Sequence, residues 1–237
     1  MKLRSIRARL FLCPLCGPST LVKLGDDEIA VRCLKCRATP ISLSLAQVVK
    51  AVVPRLKAAV VYELSSRGPF FDFLRRRAAQ VIGSEYVEGA RLGTLVNGVR
   101  VEDVQSLTFP AASFDICTAT EVFEHVADDI RGFQEILRVL RPRGTLLFTV
   151  PLSLDRETSE RARVVNGKVT HSLPAEYHFD PANAAKPILC YRNYGSDIVG
   201  RLTHAGFARA EIIPVDETRW FGYARAVVVA QKQADAA

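Results

Sequence analysis

The stretch that decides the fold reads VVYELSSRGPFF and runs from Val60 to Phe71. Its apolar beginning is typical of a buried strand that ends at the acidic residue Glu63, and Pro69 suits the first turn of a helix. A strand, an acid, a tight turn and a helix in this order form the layout of a nucleotide-cofactor loop. Such loops usually carry three glycines, whereas Gly68 is the single glycine here, so the turn is unusual for its class.

Strand-like and helical segments alternate on both sides of this stretch, from about residue 56 to the C-terminus. The sequence predicts strands at 57–64, 81–86, 98–104, 113–120 and 145–150, helices at 41–53, 70–79, 128–140 and 196–205, and two closing strands at 208–215 and 224–231. Repeated strand–helix units predict an α/β fold with a Rossmann-like, doubly wound and mostly parallel sheet, closed by an antiparallel C-terminal strand pair.

Residues 152–194 interrupt this alternation. They are rich in Pro, His, Tyr and Arg and show little periodicity. A long irregular segment inside a compact domain is usually functional, so we expect a loop-rich insertion that acts as a lid or substrate-binding segment of a domain spanning 41–237.

Four of the six cysteines form two C-x2-C pairs, Cys13 with Cys16 and Cys33 with Cys36, and sixteen residues separate the pairs. This spacing is typical of a four-thiolate zinc site, and the sequence between the pairs predicts a hairpin that brings the second pair to the first. We therefore expect residues 1–40 to form a zinc ribbon. Iron in a ribbon of the same shape is an alternative, whereas two disulfides are disfavoured in a reducing cytoplasm.

Four thiolates leave no open coordination position, so the expected Zn²⁺ is structural. The remaining cysteines, Cys117 and Cys190, stand alone in apolar, strand-like contexts. We predict that both are buried and inert.

The composition of the chain bounds its class and its partners. Of 237 residues, 49% are hydrophobic, which supports a substantial core, and no apolar run approaches the roughly 18 residues needed to span a bilayer. The N-terminus lacks the features of a signal peptide, so we expect a cytoplasmic protein with no membrane partner. The net charge of +7 is spread along the chain, so a nucleic-acid partner is permitted but not favoured.

The segments GVRVEDVQSLTFPAASFDICTATEVFEHV (98–126) and RVLRPRGTLLFTVP (138–151) carry a family resemblance. They resemble the later motifs of the class I S-adenosylmethionine (SAM) dependent methyltransferases, of the methyltransferase type 11 kind. The resemblance runs from about residue 56 to the C-terminus and leaves the ribbon outside, although some members carry zinc-binding N-terminal modules. It implies a methyltransferase that uses SAM.

The resemblance implies roles for two strand-end acids. In the family, an acid after the first strand and the turn that follows hold the methionine part of SAM, and Glu63, Ser65 and Gly68 occupy these places. An acid after the second strand binds the ribose hydroxyls, and Glu85 matches it. The alternative is that both acids meet only solvent or a helix N-terminus.

Further family positions follow along the chain. Asp103, with Val104 beside it, matches the position that meets the adenine. The alternative is that Glu102 and Asp103 are ordinary loop acids. The segment from Thr118 to Glu121 would line the methyl-transfer face.

The turn departs from the family pattern, since Ser65, Arg67 and Pro69 stand where the family has glycines. Arg67 is the largest departure, because glycine there supplies a positive φ or space. We expect Gly68, one residue later, to take over this role through a shifted turn, and we expect a working cofactor site.

Candidate catalytic residues come from two places. His125 follows the strand in the family's Glu-His position, and His171, Tyr177 and His178 lie in HSLPAEYHFDP of the insertion, a segment that also contains Asp180. A histidine or an acid there could deprotonate a hydroxyl acceptor, and nearby arginines, including Arg192, could hold a phosphate or carboxylate of the acceptor. The alternative is that these polar side chains only tie down a long loop.

Three functions remain open from the sequence. The first is an O- or N-methyltransferase acting on a small-molecule acceptor or a sugar-containing (glycan) intermediate. The second is an RNA or protein methyltransferase whose zinc ribbon recognises the macromolecule. The third is a non-catalytic module in which the ribbon does the binding.

Overall fold

In the computed structural model, which describes residues 6–179, 187–216 and 218–234, the cysteine-rich N-terminus forms a three-stranded antiparallel sheet. Its strands are β1 (Arg7–Cys13), β2 (Gly17–Lys23) and β3 (Val31–Cys33). Helix α1 (Pro40–Val52) follows directly, and Pro40 stands in its first turn, where the missing N–H would have no helical partner.

An eight-stranded sheet forms the centre of the protein. Its strands are β4 (Val60–Glu63), β5 (Gln80–Glu85), β6 (Leu95–Val96), β7 (Val99–Val101), β8 (Phe114–Thr120), β9 (Leu140–Thr149), β17 (Arg209–Ile213) and β18 (Val227–Gln231). They are ordered β17–β18–β9–β8–β4–β5–β7–β6. Strands β9, β8, β4, β5 and β7 run parallel to one another, whereas β18 is antiparallel to both β9 and β17, and β6 is antiparallel to β7. The predicted Rossmann-like fold with its antiparallel C-terminal pair is confirmed.

Helices cover both faces of this sheet. They are α1, α2 (Pro69–Arg77), α3 (Asp129–Val139) and α4 (Ile198–His204). One apolar core lies under α1 and α2 and continues into the N-terminal sheet, while a second lies under α3 and α4. Asp128 caps α3, since its carboxylate accepts a hydrogen bond from the Arg131 N–H.

The insertion between β9 and α4 differs from the loop-rich segment that the sequence predicts. Its described residues, 152–179 and 187–195, form seven short strands, namely β10 (Leu152–Ser153), β11 (Ser159–Glu160), β12 (Ala162–Val165), β13 (Lys168–His171), β14 (Tyr177–Phe179), β15 (Pro187–Leu189) and β16 (Arg192–Gly195). Each strand has two to four residues, which is too short to show a period, and β16 pairs with β10 and β11 across more than thirty residues of chain. Asp180 lies outside the described residues.

No helix in the described part of the chain has the length and apolar character needed to cross a membrane.

Candidate functional site

The turn after β4 folds onto the acid at the end of β5. Gly68 has φ +93°, so it supplies the positive φ that the sequence analysis assigns to it, and it stands just before α2. Ser66 donates two hydrogen bonds to Oε1 of Glu85, from its N–H at 3.0 Å and from its hydroxyl at 2.8 Å. Arg67 lies 3.6 Å from the same oxygen through Nε. Ser65 and Glu85 are therefore neighbours, with the Ser65 hydroxyl 3.4 Å from Oε1.

Space for this turn comes from a glycine on the facing strand. A Cβ added to Gly83 in β5 would lie 2.6 Å from the Ser65 carbonyl oxygen, 2.7 Å from the Phe71 ring and 2.9 Å from Cα of Ser66. No side chain fits at such distances, so the close approach of turn and strand requires glycine at this position. Gly83, on the facing strand, thus supplies part of the space that the missing glycines of the turn would otherwise provide.

Glu63 and Thr118 meet at the adjoining strand ends of β4 and β8. Glu63 is 1% exposed, and the Thr118 hydroxyl donates a hydrogen bond to its Oε2. Burial raises the pKa of Glu63 to about 8, with a smaller contribution from the negative charge of Glu85. At neutral pH the folded protein therefore holds this carboxyl largely protonated.

The acids after β7 have separate partners. Glu102 is buried and accepts hydrogen bonds from Arg100 and from the backbone and hydroxyl of Thr108, which makes it a structural acid. Asp103 accepts a hydrogen bond from the Gln105 N–H at 2.8 Å, and Val104 is 9% exposed.

Several buried polar groups at the ends of β8 and β9, and in the turn after β8, lack hydrogen-bonding partners. Among the described residues, no partner is found for the Thr120 and Thr149 hydroxyls, for Oε1 of Glu121, or for either carboxylate oxygen of Glu124. Burial raises the pKa of Glu121 to about 7 and that of Glu124 well above its usual range. Glu121 also has φ +52°, a strained value for a residue with a side chain. Strain and unpaired polar groups together are typical of a functional site.

Two of the four candidate catalytic residues lie beside Glu124. The rings of His125 and His178 are 4.9 Å apart between centroids, and each has a nitrogen within 3.9 Å of Oε1 of Glu124. His171 is exposed at the end of β13, and Tyr177 at the start of β14 is 49% exposed. The structure thus brings together the histidine of the sheet and one histidine of the insertion.

The four N-terminal cysteines converge as their spacing predicts. Their sulfur atoms all lie within 4.8 Å of one another, and the pairs Cys13–Cys36 and Cys16–Cys33 are 3.7 Å apart. A tetrahedral zinc ion with bonds of about 2.3 Å holds its sulfur ligands about 3.8 Å from one another. The cysteines are not joined by disulfides, so these residues fit a four-thiolate metal site.

Arg225 lies between the N-terminal hairpin and Glu121, one of the buried acids. Its Nη2 lies 2.8 Å from Oε1 of Glu28 and 3.9 Å from Oε2 of Glu121. The Arg225 N–H donates to the hydroxyl of Ser44 in α1, which fixes the position of the arginine. Arg225 therefore links Glu28, on the hairpin between β2 and β3, to the strained Glu121 after β8.

Arg192 is not placed to hold an anion of the acceptor, contrary to the expectation from the sequence. It is 3% exposed, and its guanidinium donates to the carbonyl oxygens of Phe123, Val126 and Ala127 at 3.1, 2.5 and 2.8 Å. Its Nε lies 3.2 Å from Oε2 of Glu160. All of these partners belong to the protein, so Arg192 holds the turn after β8 against the insertion. Sequence cannot reveal this use, because the partners lie more than thirty residues away.

Arg192→Lys is expected to lower the free energy of unfolding by about 2 kcal/mol, because an ammonium cannot reach three carbonyls and a carboxylate in one plane. Urea denaturation measures the change. The matched control is Arg156→Lys, where the exposed arginine pairs with the exposed Asp155 and a change below about 0.5 kcal/mol is expected. Equal effects of the two substitutions would contradict this role for Arg192.

Sequence reasoning missed several residues of the site, among them Gly83, Arg225 and Cys190. Gly83 is the one with a usable signal, since a glycine inside a strand indicates close approach of another part of the chain. Arg225 gives no local signal. Cys190 is buried as predicted, but its sulfur lies 3.8 Å from Nδ1 of His125.

Comparison with known proteins gives a consistent family. A family model described as a methyltransferase domain matches residues 65–148. The ubiquinone biosynthesis O-methyltransferase of Xanthomonas axonopodis pv. citri (strain 306) is 30% identical over 173 residues, which cover 66% of this chain and 71% of that protein.

Solved structures share the fold at low sequence identity. DesVI of Streptomyces venezuelae superposes with a TM-score of 0.53 at 13% identity, covering 84% of this chain and 94% of that one. An S-adenosylmethionine dependent methyltransferase from Mesorhizobium loti gives a TM-score of 0.51 at 18% identity, covering 80% of this chain and 98% of that one.

Proposed function

Because this chain belongs to the SAM-dependent methyltransferases, we propose that it transfers the methyl group of SAM to an oxygen or nitrogen atom of a small-molecule or sugar-containing acceptor. A hydroxyl oxygen is favoured, since the Xanthomonas relative is named as an O-methyltransferase. The observation that carries the proposal is the placement of Glu63 and Glu85 at the ends of neighbouring parallel strands, on either side of the turn that Gly68 closes. Ligands of open α/β sheets bind at this edge.

Two sets of residues would hold the cofactor. Glu63, Ser65 and Gly68 would contact its methionine part, and Glu85 its ribose. The hydrogen bonds described above reach Glu85 at Oε1, and a carboxylate has about four acceptor positions, so capacity for a diol remains. Ser66 would then orient the carboxylate rather than replace the ribose.

Adenine would lie near Asp103 and Val104, after the neighbouring strand β7. Thr118 and Glu121 would line the face where the methyl group is transferred. These positions follow the edge of the sheet from β7 to β8, in the order expected for one extended ligand.

SAM supplies a methyl group already activated on sulfur, so the protein must align the acceptor, exclude water and remove a proton from a hydroxyl. Glu121 suits the last task by geometry, because its Oε1 is buried and has no partner among the described residues. Its pKa of about 7, raised mainly by burial, places it near the working pH of a general base. His125 and His178 lie beyond it, where the insertion meets the sheet.

A second candidate function is methylation of RNA or protein, with the ribbon as the recognition element. A groove between the ribbon and α2 supports it, since Lys35, Arg37, Arg76 and Arg77 line this groove with basic groups. Binding that weakens steeply with salt would favour nucleic acid. The non-catalytic alternative is not retained, because the chain belongs to an enzyme family.

Glu85→Ala is expected to weaken binding of S-adenosylhomocysteine, the product of the reaction, about tenfold or more, or about 1.4 kcal/mol. The cause is the loss of the carboxylate that would accept both ribose hydroxyls. Calorimetric titration of the purified, zinc-loaded protein measures it.

The control is Glu211→Ala, which removes a half-buried acid from the far edge of the sheet and should leave the affinity unchanged. Wild-type protein that fails to bind below about 1 mM would overturn the cofactor site. If the product binds, methyl transfer from labelled SAM to hydroxylated aromatic or sugar acceptors, compared with RNA, decides between the two candidate functions.

A further inference from the structure

We propose that His125, His178 and Glu124 bind a second transition-metal ion, best matched by Zn²⁺, which fastens the insertion to the end of the central sheet. Nε2 of His125 and Nδ1 of His178 lie 3.8 and 3.9 Å from Oε1 of Glu124. Cys190 belongs to the same cluster, but its sulfur lies 3.8 Å from Nδ1 of His125, the other nitrogen of that ring. This cluster is separate in sequence and in structure from the four N-terminal cysteines. It goes beyond the proposed function, because it concerns how the insertion is held and not which acceptor is methylated.

Both histidines are oriented as metal ligands usually are. Nδ1 of His125 lies 2.9 Å from the Leu189 carbonyl oxygen, and since a carbonyl only accepts, Nδ1 carries the proton and Nε2 is left with its lone pair. That Nε2 lies 3.8 Å from Oε1 of Glu124. A ligating histidine typically donates its other N–H to a carbonyl or carboxylate in this way.

His178 shows the same arrangement with a carboxylate. Its Nε2 lies 3.5 Å from Oε1 of Glu176, while its Nδ1 lies 3.9 Å from Oε1 of Glu124. Glu176 is in turn paired with Arg161 at 3.3 Å, which fixes the outer partner. The two imidazoles therefore turn one nitrogen outward to a fixed acceptor and the other toward the same buried oxygen.

The buried carboxylate of Glu124 gives an independent reason to expect a cation. Glu124 is 1% exposed, and neither of its oxygens has a hydrogen-bonding partner among the described residues. A buried acid without partners is costly to the fold, and a metal ion in contact with it removes that cost. A single ion bound by Oε1 would also be within reach of the two histidine nitrogens that lie 3.8 and 3.9 Å from it.

The donor set decides which metal fits. Two imidazole nitrogens and a carboxylate oxygen suit zinc, whereas calcium and magnesium prefer oxygen ligands alone. Three protein ligands would leave one coordination position for water. His125 and His178 then act as positioning residues rather than as proton acceptors.

The ligands come from two parts of the chain that the ion would join. Glu124 and His125 lie in the short turn after β8, whereas His178 lies in β14. The two parts already touch, because the Tyr191 N–H donates to the Glu124 carbonyl oxygen at 2.8 Å. An ion here would hold the insertion over the ends of β8 and β9, beside the proposed site of methyl transfer.

The test is the metal content of the full-length protein after loading with zinc and removal of free metal. Wild-type protein is expected to hold two zinc ions per chain, and His178→Ala one. The control His204→Ala changes an exposed histidine at the end of α4 and should keep two. Because His178 is partly exposed, its replacement should leave the far-UV circular dichroism unchanged.

Two readouts do not depend on the variants or on activity. Titration of the metal-free wild type with Co²⁺ should give two spectral phases, one with the thiolate absorption of the ribbon and one without thiolate absorption. Removal of the second ion should increase amide exchange of residues 187–195 without affecting β1 and β2. A wild type that binds one zinc and gives one cobalt phase, or a His178→Ala variant that still binds two, would overturn the proposal.

Discussion

Cys33→Ser is expected to abolish metal binding at the N-terminal cysteines and to lower the melting temperature by more than about 10 °C. The side chain of Cys33 is fully buried, and its sulfur lies 3.7 Å from that of Cys16. Structural zinc sites contribute folding free energy directly, so the loss should reach about 5 kcal/mol. For a chain of this size, each kcal/mol shifts the melting temperature by about 2–4 °C.

The effect should extend beyond the ribbon because the ribbon shares its core with the sheet. Leu15, Leu21 and Val31 belong to the same apolar cluster as residues of α1 and β4. On the other side, Phe11 packs edge-on against Trp220 at 5.8 Å between ring centroids. Unfolding of the ribbon would therefore expose apolar surface of the domain as well.

Differential scanning calorimetry together with zinc analysis measures this result. Cys16→Ser, at a less buried ligand, should show the same loss of metal, and Ser19→Ala, which removes a hydroxyl 3.1 Å from the Cys33 sulfur, should keep the metal. A Cys33→Ser protein that melts within about 3 °C of the wild type would contradict a structural role for the ion.

Glu63→Gln is expected to remove a pH dependence from the stability of the protein. The pKa of Glu63 is about 8 in the folded protein and near its ordinary 4.5 in the unfolded chain. The full stabilising contribution of this group is therefore present only below about pH 4.5, where the carboxyl is protonated in both states. As the pH rises toward 8, the unfolded chain ionises freely while the folded chain holds its proton, and stability is lost. Between pH 5 and pH 8 this loss amounts to about 3 kcal/mol.

Urea denaturation of both proteins from pH 5 to pH 9 tests this sign. The stability of Glu63→Gln relative to the wild type should rise with pH, because an amide keeps the shape and has no proton to hold. The Thr118 hydroxyl can still donate to the amide oxygen, so the contact itself is preserved. Glu211→Gln, on an exposed strand edge, is the control without a pH-dependent difference. Parallel curves for Glu63→Gln and the wild type would contradict a buried, protonated Glu63.

Much of the candidate site could be predicted from the sequence because its signals are local. Glu63 and Glu85 end apolar strand segments, and parallel strands bring their carboxyl ends to one edge of the sheet. The cysteine spacing predicts a common ion because each pair forms a tight turn and the hairpin between them is short. The cap at Asp128 and the positive φ of Gly68 are likewise properties of a few consecutive residues.

The rest depends on contacts between distant residues, and no short pattern encodes those. Gly83 makes room for a turn that lacks the usual glycines. The Arg192 guanidinium donates hydrogen bonds to carbonyl oxygens that lie 65–69 residues away in the chain. The approach of His178 and Cys190 to His125 requires an insertion of very short strands to pair in one register. The sequence by itself therefore determined the class of fold and the strand-end acids, through local propensity and hydrophobic period. The tertiary structure alone decided which side chains face one another, because only packing brings segments so far apart in the chain within bonding distance.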